Sequence, residues 1–275
     1  MTKKVALVTG ASSGIGESAA DELMKAGFTV YVAARRTDRM APLGERGAHV
    51  LALDLTDDAS MVAVVDQILA EQGRIDVLVN NAGYGSFGAI EDVPIEEGRR
   101  QFEVNLFALA RLTQLVLPAM RAQKSGRIIN VSSIGARFYE PFGGWYHATK
   151  YAVEGLSNCM RLEVAPFGVK VVLIAPAAIR SEWHGIAGDS LEEASGSTAY
   201  GKYARRARKM MDQAYKPSTS VGPEVVGEKI AKAATAKRPA AVYPVGKGAR
   251  MIRSSVDFTP TAIYDAAIGR AYGSR

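Results

Sequence analysis

The sequence predicts an α/β protein built on a single doubly wound parallel sheet with helices on both faces. Three observations predict it. Short apolar runs alternate with longer segments of helical period along most of the chain. The runs are apolar nearly throughout instead of alternating with polar residues, as expected of strands buried on both faces. The first run ends in a glycine-rich turn that opens a helical segment, the arrangement of a βαβ unit.

Taken in order, the expected strands are KKVALVT (3–9), FTVYVAAR (28–35), HVLALDL (49–55), DVLVNNAG (76–83), GRIINVSS (126–133) and VKVVLIAP (169–176). Helices are expected from about Gly14, from about Asp58, over 99–124 and over 145–167. Right-handed crossovers place every strand-to-helix loop at one edge of the sheet, where ligands bind. The stretch from about Ala177 to Val221 breaks the rhythm, being polar and dotted with glycine. Loops of that length in compact domains are often functional, so a substrate lid over about 177–221 is expected. After Pro239, AAVYPV reads as a last strand, and the tail from Gly246 as helical and partly interfacial. The whole, residues 1–275, is expected to be one domain.

Composition narrows the function classes. The chain has 275 residues, 48% of them apolar, enough to bury a full core. One cysteine, Cys159, excludes a disulfide framework within the chain and points to a reducing, cytoplasmic setting. His49, His147 and His184 are too scattered for a metal site, and no apolar run reaches the length of a membrane span. The net charge is +6, but the densest basic run is KYARRARK at 202–209. There Lys202, Arg205, Arg206 and Lys209 share one helical face, which reads first as a solvated surface and second as a landing site for an acidic or phosphate-bearing partner. Nucleic acid is not the expected partner.

The turn TGASSGIG (9–16) carries chemistry. Gly10, Gly14 and Gly16 let backbone amides approach a pyrophosphate, and the helix N-terminus adds free N–H groups and a positive dipole end. Gly10 to Gly14 also matches the G-x-S-x-G elbow of hydrolases. That reading needs an earlier strand and loop to form an oxyanion hole, and only one strand-length run precedes the turn. At the end of the second strand, where an acid would bond the adenosine ribose, the sequence reads YVAARR. Arg35 and Arg36 suit a 2′-phosphate instead, so NADP(H) is expected over NAD(H).

Tyr146 and Lys150 lie four apart on one helix face. A phenol is a poor acid-base catalyst at neutral pH unless a neighbouring ammonium favours its phenolate. The same spacing recurs at Tyr243 and Lys247, where Pro244 and Gly246 disfavour a helix, so spacing alone decides nothing. Context does. Ser133 ends the strand GRIINVSS on the edge that carries the glycine turn, and Asn105 is a polar residue in an apolar helical pattern.

With TGASSGIG, the pair Asp54-Leu55, NNAG (80–83), Asn105, Ser133, Tyr146 and Lys150 in this order, the chain resembles the short-chain dehydrogenase/reductase family, a Rossmann-like fold, over roughly residues 3–185. The resemblance implies hydride transfer between a nicotinamide and a carbonyl or alcohol carbon, in a carbonyl reductase or ketoreductase. Tyr146 is then the proton donor, Ser133 holds the substrate oxygen, Lys150 lowers the tyrosine pKa and bonds the nicotinamide ribose, and Asn105 holds a relay water. It implies cofactor contacts from Gly10, Ser12, Ser13, Gly14, Ile15, Gly16, Arg35, Arg36, Asp54, Leu55, Asn81, Ala82, Gly83, Tyr146, Lys150, Pro176, Ala177, Ile179 and Ser181, and a homodimer or homotetramer. Asn80 is read as a structural bond at a strand end. Ala177 stands where the family has glycine, which costs about 1 kcal/mol if that position requires positive φ. Ser181 stands where a threonine is usual.

The expected substrate is a small or medium hydrophobic ketone or aldehyde, with Tyr84, Phe87, Phe138, Tyr139, Phe142, Trp145 and Trp183 as candidate pocket walls. Two other readings stay open: a non-catalytic NADP(H)-binding sensor, and a reductase of acyl groups on an acidic carrier.

Overall fold

The computed structural model describes residues 3–256 and 258–273; the outer bounds of the expected domain, Met1 and Arg275, lie outside them. The chain runs β1 (Val5–Thr9), α1 (Gly14–Lys25), β2 (Thr29–Ala34), α2 (Ala41–Glu45), β3 (His49–Ala52), α3 (Asp58–Gln72), β4 (Val77–Asn80), α4 (Ile95–Phe102), α5 (Ala108–Ala122) and β5 (Gly126–Val131). It continues through α6 (Gly144–Val164), β6 (Val169–Pro176), α7 (Trp183–Ser195), α8 (Gly201–Ala214), α9 (Glu224–Thr235), β7 (Val242–Val245), α10 (Ala249–Val256) and α11 (Thr261–Tyr272). All seven strands pair in parallel, in the order β3-β2-β1-β4-β5-β6-β7. The order reverses between β1 and β4, and the C-terminal edge at that switch point is where such sheets bind ligands.

The period of two in a strand divides the core. Ala6, Val8, Val30 and Val32 pack with Ala19, Ala20 and Leu23 of α1 and Val226 and Ile230 of α9. Val5, Leu7, Tyr31 and Ala33 face the other way, onto Val64 and Ile68 of α3, Leu112 and Val116 of α5 and Met160 of α6. Both faces of the central strands β1, β2 and β4 are therefore buried, which is why their runs look unbroken in the sequence. One polar seam crosses this second layer. Asn80 donates to Asn130 Oδ1 (2.9 Å) and Thr113 Oγ1 (3.2 Å), and Asn130 donates to Ser157 Oγ (2.8 Å). Asn80 is thus a buried strand-end bond, as expected of it.

The 177–221 stretch differs from a long loop. It folds as α7 and α8, closed at its ends by a parallel bridge between Ile179 and Val221. The helices share a cluster in which Ala187 and Leu191 of α7 join Ala204 and Ala207 of α8, three of the four being small residues that leave little apolar signal in the sequence. Lys202, Arg205, Arg206 and Lys209 of α8 are all exposed. The second Y-x-x-x-K pair falls on β7 and the turn after it, so it makes no helix face. Among the described residues no helix is long and apolar enough to cross a membrane.

Candidate active site

The C-terminal ends of β1 to β6 open on one cavity of about 1170 Å³. Single drug-sized ligands occupy roughly 300–1,000 Å³, so the cleft has room for a dinucleotide and a further small molecule.

Its floor on the β1 side is the glycine turn. Gly10 has φ +66°, and a Cβ there would fall 2.7 Å from Ala82 Cα. A Cβ on Gly16 would meet the Gly10 carbonyl at 2.3 Å. Both glycines are therefore demanded by close approach of two backbones. Asn81 locks them together, its amide donating to the carbonyls of Thr9 (3.0 Å) and Gly10 (3.2 Å). The Thr9 hydroxyl accepts from the Asn81 and Ala82 N–H groups at 3.1 and 3.2 Å. Ser13 precedes α1 without a side-chain capping bond, so first-turn N–H groups remain free to meet an anion. Gly10, Ser12, Ser13, Gly14 and Ile15 line the cleft, while Gly16 is the contact that lets the turn close. These features fit a pyrophosphate.

At the β2 end, Arg35 and Arg36 are exposed on the cleft rim. Arg36 reaches toward Ser12 Oγ (3.4 Å), and Glu182 lies 3.9 Å from it while holding Arg39 at 2.9 Å. Asp54 and Leu55 line the neighbouring wall. The Asp54 carboxylate accepts from the Thr56 N–H (2.9 Å) and hydroxyl (2.8 Å), bonds that hold its pKa below the ordinary carboxylate value. Arg100 of α4 also lines this wall and lies over the Tyr84 ring. Nothing in the sequence marked it, because it comes from a surface helix remote from the β2 turn.

The second half of the cleft is built on α6. Tyr146 and Lys150 project from one face of it, as their spacing predicts, and both line the cavity with Ser133 from the end of β5. Ser133 sits close enough to the Tyr146 phenol to lower its pKa, and its Oγ accepts from Gly135 N (3.0 Å). Lys150 Nζ donates to the Val131 carbonyl (3.0 Å) and stands 5.9 Å from the centre of the Tyr146 ring.

The electrostatics differ from the expectation that Lys150 lowers the tyrosine. Burial pushes Tyr146 up to about 12, and the pull back down comes from the neighbouring Ser133. Burial likewise pushes Lys150 down to about 8. A buried ammonium already bonded to a main-chain carbonyl is costly to keep charged, so it stabilises the phenolate weakly. The phenol itself is only half-buried and faces the cleft, which tempers the upward push on it.

Asn105 lies in a π-turn at 103–107 between α4 and α5, a geometry that recurs at functional sites and that no spacing rule reveals. Its amide is engaged with main chain. Oδ1 accepts from Tyr84 N (3.0 Å), and Nδ2 donates to Tyr84 O (2.9 Å) and Thr149 Oγ1 (3.2 Å). Asn105 also presses on Gly83, where a Cβ would lie 2.9 Å from Oδ1. It therefore holds the 83–85 turn against α6.

Pro176, Ala177, Ile179 and Ser181 line the wall after β6. Ala177 does not have positive φ; among the described non-glycine residues only Lys124 and Phe142 do. The expected strain is absent, because the Ala177 N–H continues the sheet by donating to Val245 O (2.8 Å). Ser181 Oγ accepts from Trp183 N at 3.4 Å.

Of the aromatic candidates, Tyr84, Phe87, Phe138 and Trp183 line the cleft. Tyr139, Phe142 and Trp145 do not. Tyr139 donates to Asp265 (2.8 Å) at the surface, Phe142 backs the wall with positive φ, and Trp145 packs edge-on against Phe102 over Gly98. Their places are taken by Met210, Met211 and Tyr215 at the end of α8 and by Ile268 and Tyr272 of α11. No motif in the tail marks it as returning over the site.

A parallel sheet with a reversed strand order, a glycine turn at its switch point and a tyrosine, serine and lysine across the same edge define a dinucleotide-binding α/β oxidoreductase. The model of short chain dehydrogenases matches residues 4–189. The chain belongs to the short-chain dehydrogenase family, oxidoreductases that use a nicotinamide cofactor. It is 34% identical over 274 residues to an NADPH-dependent 3-dehydrocapnine reductase of Ornithobacterium rhinotracheale, covering 95% of each chain. It is 43% identical over 176 residues to a 3-ketodihydrosphingosine reductase of Bacteroides thetaiotaomicron, covering 64% of each. The structure of a short-chain dehydrogenase from Streptomyces avermitilis superposes with a TM-score of 0.82 at 32% identity, covering 100% of this chain and 99% of that one.

Proposed function

We propose that this protein is an NADP(H)-dependent carbonyl reductase that converts a ketone or aldehyde to the alcohol, reversibly, with Tyr146 as proton donor. The observation that carries the reading is that Ser133, Tyr146 and Lys150 line one half of a single cleft whose other half is the glycine turn. When bound, NADP(H) supplies the hydride that the carbonyl carbon gains. Ser133 holds the carbonyl oxygen against the phenol, and Tyr146 gives that oxygen its proton. A phenol kept protonated by burial is suited to donate in the reduction direction. Lys150 bonds the nicotinamide ribose, and Asn105 keeps the 83–85 turn in place beside it. Arg35 and Arg36 favour a 2′-phosphate, in keeping with the NADPH-dependent relative.

The two named relatives are reductases of substrates called 3-dehydro and 3-keto, which supports a ketone as the group reduced. The chain forms one domain in which α7 and α8 act as the lid, and it assembles as a homodimer or homotetramer in the cytoplasm. A sensor without turnover has no use for a serine and a tyrosine set side by side in the cleft. A carrier-borne acyl substrate has only the α8 basic face in its favour, and two of its arginines are engaged with carbonyls, Arg205 with Gly196 and Arg206 with Arg270. Following the absorbance of NADPH and NADH against a panel of ketones tests the reading. Oxidation of NADPH in preference to NADH is expected; tight NADPH binding with no oxidation of it across the panel would favour the sensor.

A further inference from the structure

Three carboxylates line the cleft: Asp54, Glu140 and Glu182. Asp54 is satisfied within its own turn by Thr56, and Glu182 is held by Arg39. Glu140 is different. It lies in the connection between β5 and α6, at the apolar end of the cleft, and no lysine or arginine pairs with it among the described residues. Its Oε2 accepts from the Tyr272 hydroxyl (2.5 Å). Its Oε1 stands 3.9 Å from Nε2 of His147, a buried side chain.

The histidine makes the site unusual. His147 Nδ1 lies 2.7 Å from the Gly135 carbonyl, so Nδ1 carries the hydrogen. In the neutral ring Nε2 is then a bare acceptor, and it has no hydrogen-bond partner in the protein. Two acceptors therefore face each other with no donor between them. Buried polar groups left so are rare and call for a partner. The surrounding wall is apolar, with Met210, Met211 and Ile268 alongside Tyr272. His147 adjoins Tyr146 on α6, their ring centres 5.8 Å apart, so the carboxylate it faces and the proposed proton donor share one end of the cleft.

We propose that Glu140, backed by His147, is a cation subsite that receives a primary ammonium group placed next to the carbonyl on an otherwise apolar substrate, making an amino ketone the substrate class. The carbonyl part of this assignment rests on the reductase reading above; the ammonium part does not. An ammonium offers three N–H donors and no acceptor, matching a carboxylate that has only donors to gain. Of the lysines and arginines that line the cleft, Arg35, Arg36 and Arg100 stay at its other end, Lys150 is bonded to the Val131 carbonyl (3.0 Å) and Lys247 to the Ser218 carbonyl (2.7 Å), so none pairs with Glu140.

Binding to the NADPH-loaded protein separates this site from turnover, because an alcohol cannot be oxidised while the cofactor is reduced. Calorimetric titration with 1-amino-2-decanol and with 2-decanol gives the two affinities. The amino alcohol is expected to bind about 10-fold more tightly or better, the scale of a charge-assisted hydrogen bond in a partly desolvated site. Glu140→Gln is expected to remove most of that ratio. Equal affinities in the wild-type protein would overturn the proposal and mean that a protonated His147 already neutralises Glu140; this comparison stands even if the variant does not fold. A ratio untouched by Glu140→Gln would overturn it as well. A ratio that is lost in the variant, alongside no oxidation of NADPH by the corresponding ketones, would uphold the cation subsite and overturn the reductase reading alone.

Discussion

Arg253 of α10 meets Glu154 of α6 through two parallel bonds, Nη1 to Oε1 at 2.5 Å and Nη2 to Oε2 at 3.0 Å. Both side chains are nearly buried, and Glu154 lies one helical turn beyond Lys150. The pair fastens the tail of the chain, whose Ile252, Ser255 and Val256 line the cleft, to the helix that carries Tyr146. Glu154 also accepts from Arg137 (3.2 Å) and Ser132 (3.3 Å), so it keeps partners when Arg253 is removed, whereas among the described residues Glu154 is the one carboxylate paired with Arg253. Breaking a buried pair costs about 3–5 kcal/mol when a charge is left alone. Glu154→Ala is therefore expected to cost about that much by urea denaturation, and Arg253→Ala about 1–3 kcal/mol with a raised KM for the carbonyl substrate. The reverse order of the two costs would refute the account.

Tyr146→Phe removes the proposed acid while keeping the ring that packs on Phe87 and Trp183. A fall in kcat of at least about 100-fold is expected, with NADPH affinity retained. Burial holds the phenol near 12 in the protein alone, so the reduction rate should be level through neutral pH. Alcohol oxidation needs the phenolate, and its kcat/KM should climb steadily up to at least about pH 9. A variant with wild-type kcat would remove Tyr146 from the chemistry.

Lys150 offers a test by stability. Its pKa falls from 10.5 to about 8 on folding, through burial. Below about 8 both states hold the proton, and the folded state bears the full penalty of a buried charge. Between about 8 and 10.5 the unfolded chain binds the extra proton, so stability rises with pH across that window. The relief amounts to at most about 3 kcal/mol. Lys150→Met should lack this rise, so the stability difference between wild type and variant should change with pH in that interval. A constant difference from pH 7 to 10.5 would mean that the lysine is not desolvated as described.

The sheet was legible because strands buried on both faces must be apolar at every position, and Val5 to Thr9 or Val169 to Pro176 can hardly be anything else. The glycine turn was legible for a like reason, since Gly10 and Gly16 occupy places where any Cβ strikes main chain. What stayed hidden depends on contacts made far along the chain. Arg100 reaches the cleft only because α4 packs beside α6, and Met210, Ile268 and Tyr272 only because α8 and α11 return over it. Trp145 and Phe138 looked alike in the sequence, seven residues apart in one aromatic-rich stretch. The helix phase of α6 turns Trp145 onto Phe102 and away from the cleft.

Cofactor choice should follow the β2 end. Arg36 is exposed, with only Ser12 at 3.4 Å and Glu182 at 3.9 Å as its polar partners among the described residues, so its guanidinium is available to a 2′-phosphate. Replacing both Arg35 and Arg36 by Ala is expected to raise the KM for NADPH about 10- to 100-fold, the scale of lost charge-assisted bonds, while changing that for NADH less than about threefold. Equal losses with both cofactors would mean that the arginines shape the loop and do not read the phosphate.

The contact between Ala177 and Gly246 separates two explanations for the alanine after β6. If Ala177 were strained, glycine there would improve the protein. The observed backbone argues otherwise: Ala177 lacks positive φ and is bonded through its N–H to Val245. The demanding position is Gly246, with φ +104°, where an added Cβ would stand 3.2 Å from the Ala177 methyl. A side chain at such φ is strained whatever the space around it, so Gly246→Ala should destabilise by about 1–2 kcal/mol. Ala177→Gly should cost about 0.5–1 kcal/mol through added freedom in the unfolded chain, and it should leave the KM for NADPH within about twofold. Thermal melts and initial rates of the two variants check both. A more stable or markedly faster Ala177→Gly enzyme would show that the methyl hinders the nicotinamide end of the cleft.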